Sequence, residues 1–194
     1  ATGGNTPPGA KQALNEQFDG TSWTEVGDLN TARQHLRSAG QTNTSALAFA
    51  GEITNVSALT ESWNGTAFTE VADLGIARAY VAQAGAGNTS ALCSGGYAPP
   101  SNSTATEQWT ANVPIGAWAT SADMNNSNFG MGGDGTVTTA IASGGANTPS
   151  DKTSKCETFN GTSWTEQGNM NTRKYYGSNA GNSTAGLAFG GEPA

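Results

Sequence analysis

The segment Phe159-Asn160-Gly161-Thr162-Ser163-Trp164-Thr165-Glu166 decides the fold. It recurs as Phe18-Asp19-Gly20-Thr21-Ser22-Trp23-Thr24-Glu25 and as Trp63-Asn64-Gly65-Thr66-Ala67-Phe68-Thr69-Glu70. A fourth copy, from Trp109 to Trp118, carries four extra residues between its aromatics. An Asn-Gly or Asp-Gly pair between alternating segments signals a β-hairpin, because a tight turn needs backbone angles those residues tolerate. Hairpins of one design, repeated along the chain, predict an all-β repeat protein.

Working outward, the glutamates Glu16, Glu61, Glu107 and Glu157 precede the hairpins at spacings of 45, 46 and 50. Paired small residues close each unit at Ala50-Gly51, Gly95-Gly96, Gly144-Gly145 and Gly190-Gly191. The chain 1–194 is therefore one domain of four repeats, approximately 5–51, 52–96, 97–145 and 146–191. Each repeat reads as four short strands. In the first, Leu14, Glu16 and Phe18 share one face of a period-two segment, and a second strand runs from Trp23 toward Leu29. A third follows Ala32-Arg33 and ends near Gly40, and a fourth is Ser45 to Phe49. No stretch has helical periodicity. Four strands in a unit of this length select a β-propeller over a sandwich or a solenoid.

An apolar strand ending in Gly-Gly, an aromatic before a turn, then Trp, then Ala-Arg resembles the kelch repeat. The residues are Leu187-Ala188-Phe189-Gly190-Gly191, Phe159, Trp164 and Ala77-Arg78. Their wording is also similar to kelch-like repeats of bacteriophage tail and fibre proteins. The resemblance implies that the strand after Ala-Arg is innermost and the Trp strand outermost. Each blade then takes two inner strands from one repeat and two outer strands from the next. The expected fold is a β-propeller of four kelch-like four-stranded blades, closed by pairing of the N-terminal outer strands with the C-terminal inner strands. A segment of a larger ring, completed by further sequence or by a second copy, is the alternative. The third repeat departs most, with Asn128 in the arginine position and a longer turn from Thr110 to Ala117.

Composition narrows the partners. Charged residues are 12% of the chain and the net charge is −7, with only eight Lys and Arg. Nucleic acid is excluded as a partner, because its phosphates need clustered cations. No apolar run approaches the roughly 20 residues that span a bilayer, so membrane insertion is not expected. Cys93 and Cys156 fall at different repeat positions and read as free thiols.

Two sets of residues are candidates for ligand contact. Arg33, Arg78, Asn128 and Lys174 occupy one repeat position. On innermost strands they would form a cationic patch at the axis, suited to a carboxylate or sulfate on a glycan. The competing reading pairs each cation with the recurrent glutamate inside the sheet, with Lys155 replacing the cation missing at Asn128. His35, Tyr80 and Tyr176 are the second set, equivalent across repeats with Gly130 as fourth member. They would line a shallow mouth and stack on sugar faces, or pack as core. The recurrent Trp residues read as inter-blade core.

Catalytic sets are not evident. The single histidine, His35, cannot supply the ligands of a kelch-type copper oxidase or a zinc site, so no metal or cofactor is expected. The sequence thus reads as a non-catalytic recognition domain, the glycan-binding part of a phage fibre or secreted adhesin, extracellular or virion-associated. A structural or protein-docking module in a larger assembly is the alternative, with homo-oligomerisation left open.

Overall fold

The repeated turn forms because one side chain replaces a missing backbone partner. In the computed structural model, which describes residues 1–111 and 116–193, Asn64 Oδ1 accepts the backbone N–H groups of Thr66 and Ala67 at 2.9 and 3.0 Å. Asn160 does the same for Thr162 and Ser163, and Asp19 for Thr21 and Ser22. The following Gly20, Gly65 and Gly161 adopt φ of +101°, +94° and +94°, angles that side-chain-bearing residues rarely adopt. Across each turn the aromatics stand opposite one another in the ladder as Phe18↔Trp23, Trp63↔Phe68 and Phe159↔Trp164, their rings tilted at 38°, 44° and 35°. Trp109↔Trp118 keep this register in the third repeat, whose turn residues 112–115 lie outside the described residues.

Strands β1 (Asn5–Thr6) and β2 (Ala10–Lys11) make a small hairpin, and β3 (Asn15–Phe18) and β4 (Trp23–Val26) a larger one. The first full sheet is β5 (Arg37–Thr42), β6 (Ser45–Phe49), β7 (Thr60–Trp63) and β8 (Phe68–Glu70), in that order. Next come β9 (Ala82–Gly87), β10 (Ser90–Ser94), the small hairpin β11 (Tyr97–Ala98) and β12 (Ser101–Asn102), β13 (Thr106–Thr110) and β14 (Ala117–Ser121). The second sheet is β9-β10-β13-β14. Strands β15 (Gly132–Thr136), β16 (Thr139–Ser143), β17 (Ala146–Thr148), β18 (Asp151–Lys152), β19 (Cys156–Phe159) and β20 (Trp164–Glu166) repeat the pattern. The third sheet is β15-β16-β19-β20, with β17-β18 a small hairpin. Strands β21 (Lys174–Gly181) and β22 (Gly186–Pro193) end the chain as a hairpin. Every ladder is antiparallel. Each full sheet joins two strands of one repeat to two of the next, as the sequence order implied.

The first strands of successive units, β5, β9, β15 and β21, lie against one another. Their small side chains permit it: a Cβ on Gly133 would sit 2.7 Å from the Gln83 backbone nitrogen, so only glycine allows that approach. Apolar layers fill the spaces between sheets. Leu47, Phe49, Val81, Ala91, Cys93 and Trp109 form one layer, and Leu92, Met124, Met131, Phe159 and Trp164 another. Trp63, Trp109, Trp118 and Trp164 pack into these layers with their nitrogens satisfied, whereas Trp23, at the same repeat position as Trp118 and Trp164, is exposed. Trp118 and Trp164 donate Nε1–H to Thr60 Oγ1 and Thr106 Oγ1, each at 3.0 Å. Both cysteines are buried and unbridged.

One expectation is corrected. Among the described residues no ladder joins β22 to β3; the terminal hairpins stand as separate two-stranded sheets. All of β22 is exposed. The outer edge of β3 is taken instead by residues 1–3: Thr2 bridges Asn15, Ala1 and Glu16 exchange backbone bonds at 2.7 and 2.8 Å, and Gly3 N–H donates to Leu14 O at 2.9 Å.

Candidate functional site

Arg33 and Arg78 do not reach a ligand. Each lies four residues before its strand, and its side chain turns into the sheet with no exposed surface. Arg33 Nη2 meets Glu61 Oε1 at 2.9 Å, and its Nη1 donates to the carbonyls of Leu59 and Ala50. Arg78 repeats this with Glu107 at 2.7 Å and with the carbonyls of Gly95 and Ala105. Burial pulls the Arg33 guanidinium below its ordinary pKa, and Glu61 opposes the shift. Asn128 is buried too, and Lys174 is half-buried. The cationic axial patch is thus corrected to an ion pair within each of two sheets.

The third sheet solves the same problem without a cation. Glu157 accepts four N–H bonds, from the backbone and side-chain nitrogens of Asn125 and Asn126, at 2.8 to 2.9 Å. Lys155 does not take the arginine's place; it bonds Asn126 and Glu166 at the surface.

The second candidate set does converge. His35, Tyr80 and Tyr176 adopt φ of +54°, +58° and +59°, and Gly130 in the fourth place has +67°. A left-handed backbone angle for a bulky residue costs about 1–2 kcal/mol and clusters at functional sites. A relay of backbone bonds links these positions: Tyr80 N–H to His35 O, Gly130 N–H to Tyr80 O, and Tyr176 N–H to Gly130 O, at 3.3, 2.8 and 2.9 Å. The rings follow. His35 stacks on Tyr80 with centroids 4.2 Å apart, and Tyr80 lies 5.7 Å from Tyr176.

Around this line lies a cleft of about 700 Å³. Tyr80, Tyr97, Phe129, Tyr175 and Tyr176 line its apolar part, and Glu52, Asn102 and Asn147 its polar part. Phe129 packs edge-on against Tyr80 and Tyr175, which buries Phe129 and Tyr175 and leaves Tyr176 to solvent. Asn102 Nδ2 donates to Asn147 O at 2.8 Å, tying the two small hairpins together at the rim. Glu52 Oε2 takes Gln34 Nε2–H at 3.1 Å and lies 3.2 Å from His35 Nδ1. Burial, then Glu52 and Tyr176, push the Tyr80 phenol well above the usual tyrosine range. Burial does the same to Tyr175.

Glu52 and Phe129 are the residues that sequence reasoning did not single out. A signal existed. The residue before each left-handed position pairs with the residue after each Gly-Gly or Ala-Gly, as in Gln34↔Glu52, Ala79↔Tyr97, Phe129↔Ala146 and Tyr175↔Glu192. Arg37, on β5, donates Nε–H to Val81 O at 3.1 Å. Among the described residues no three metal-ligating side chains lie together. No helix long and apolar enough to cross a membrane is present among them either.

No protein-family model matches the chain, and no curated protein does. A solved structure described as "Structure of YjhT" matches the whole of this chain and 74% of its own length, with a TM-score of 0.78 at 13% identity. That likeness is one of fold alone.

Proposed function

We propose that the sheets are kelch-like blades of a β-propeller and that the aromatic cleft is a non-catalytic binding site for a sugar. The observation that carries the binding reading is that Tyr80 and Tyr176, held at positive φ, line one open cleft beside Glu52, with His35 stacked behind Tyr80. Flat rings with polar tips offer a stacking face, and Glu52 with the amides of Asn102 and Asn147 offers partners for hydroxyls. Among the described residues no Lys or Arg lines the cleft, so the fit is to an uncharged glycan rather than to the sulfated or carboxylated one that an arginine patch would take.

Burial first, and then Glu52, hold the Tyr80 phenol protonated, so it offers the cleft a hydrogen-bond donor. A polar, weakly charged surface suits a virion fibre or secreted adhesin that meets cell-surface glycans. The test is a glycan array probed with the purified domain, followed by titration of Tyr176→Ala. The reading expects an uncharged glycan to bind and the variant to lose that binding. Absence of any bound surface polysaccharide from the natural host overturns it.

A further inference from the structure

We infer that the cavity between the first strands of the four units is a binding site for a small carboxylate that carries a hydroxyl group. The inference is independent of what the aromatic cleft binds, and the two sites share no lining residue. The cavity, of about 140 Å³, lies between β5, β9, β15 and β21, where Arg37, Gln83, Gly133, Ser178 and Asn179 line it. Arg37 stands in a repeat position that Ala82, Gly132 and Ser178 hold elsewhere. Three small residues thus leave the room into which one guanidinium reaches.

Arg33 and Arg78 spend their charge on Glu61 and Glu107, but Arg37 has no such partner among the described residues. Its Nε–H goes to Val81 O at 3.1 Å, and neither Nη group makes a hydrogen bond among them. Burial pulls the Arg37 guanidinium below its ordinary pKa, and only the Tyr176 phenol opposes that. A charge withdrawn from water needs a counter-charge and hydrogen bonds. Two free Nη groups on one planar fork match the two oxygens of a carboxylate. One guanidinium offsets one negative charge, so a monoanion fits better than sulfate.

Gln83 supplies the second half of the site. Its Oε1 is sealed from solvent and has no hydrogen-bond partner among the described residues. An orphaned buried acceptor is costly, and a hydroxyl on the ligand provides the missing donor. The Asn179 amide is already engaged in the wall: its Nδ2 donates to Gly132 O at 3.1 Å, and its Oδ1 accepts the Ser143 hydroxyl at 2.9 Å. A Cβ on Gly132 would lie 2.7 Å from Asn179 Oδ1, so glycine lets the wall close there. At about 140 Å³ the cavity is well below the roughly 300 Å³ at which drug-sized ligand sites begin, which limits the ligand to a few non-hydrogen atoms.

Isothermal titration of the purified chain with glycolate, acetate and chloride, at fixed pH and ionic strength, is the test. Glycolate should bind at a single site, more tightly than acetate, because acetate lacks the hydroxyl that Gln83 takes. Arg37→Met should weaken glycolate about tenfold or more, since the carboxylate loses a charged fork. Arg37→Lys keeps the charge without the fork and should recover only part of the affinity. Gln83→Met should lower glycolate to the level of acetate and leave acetate unchanged. Arg37 and Gln83 are not fully buried, so circular dichroism of the variants should match the parent. Absence of saturable carboxylate binding by the parent overturns the inference, because the cavity then holds water alone. So does undiminished binding by Arg37→Met, acetate bound as tightly as glycolate, or chloride bound more tightly than either.

Discussion

Arg33 and Glu61 meet at 2.9 Å inside the first full sheet with both side chains sealed from solvent. Removing either partner strands a buried charge, which costs about 3–5 kcal/mol. Arg33→Met and Glu61→Gln should each lower the unfolding free energy by an amount of that order. The double variant should lose clearly less than the sum, because its second change removes a charge already stranded. Strictly additive losses in urea unfolding would show that the two residues do not act as a pair.

Asp19 fills the turn position that Asn64 and Asn160 hold elsewhere. Backbone N–H groups, Ser22 first and then Thr21, hold its carboxylate below the ordinary 3.8. A depressed folded pKa contributes stability above the unfolded value and loses it as pH falls through the folded one. The turn at 19–22 should therefore loosen in acid below 3.8, whereas the asparagine turns at 64–67 and 160–163 should not. Amide exchange at Thr21 and Ser22, compared with Thr66 and Thr162, reads this directly. Asp19→Asn should erase the difference, and identical acid behaviour of all three turns in the parent refutes it.

What the sequence discloses here is what short range determines. The hairpins were legible because Asn64 and its turn partners lie within three residues of one another. The pairing of repeats was legible because glutamates and Trp residues recur at fixed spacing. The fate of Arg33 was not settled by either signal, since it depends on whether the side chain folds into the sheet or toward the axis. The equivalence of His35, Tyr80, Gly130 and Tyr176 was visible, but not its cause, a backbone angle shared by all four. Glu52 and Phe129 enter the site through pairings between different loops, and only their fixed places after Ala-Gly and before the left-handed position mark them in the sequence.

Cys93 makes a chemical prediction. Burial first, with Glu107 adding and Arg78 opposing, pushes its thiol up to about 11. Burial also raises the Cys156 thiol. Thiolate is the reactive form, so both should resist Ellman's reagent near pH 8 in the native protein. Cys156, which lines the open cleft beside β22, should be modified first. Peptide mapping after timed alkylation checks the order. Both sites should react at once in denaturant, and rapid native labelling of Cys93 would contradict the buried placement.

Tyr176 separates strain from function. Its φ of +59° penalises any side chain, and it is 42% exposed. Glycine already holds the equivalent place at Gly130 with φ +67°. Tyr176→Gly relieves about 1–2 kcal/mol of backbone strain while giving up the packing of a half-exposed ring. The two effects oppose each other, so its stability should fall within about 1 kcal/mol of the parent. Sugar affinity should fall about tenfold or more, because the stacking face is gone. Tyr176→Phe keeps both ring and strain and should retain most of the affinity. Calorimetric titration beside thermal unfolding distinguishes the cases. If Tyr176→Gly binds as the parent does, the positive angle serves the backbone relay to Gly130 alone, and the cleft is not where sugar is held.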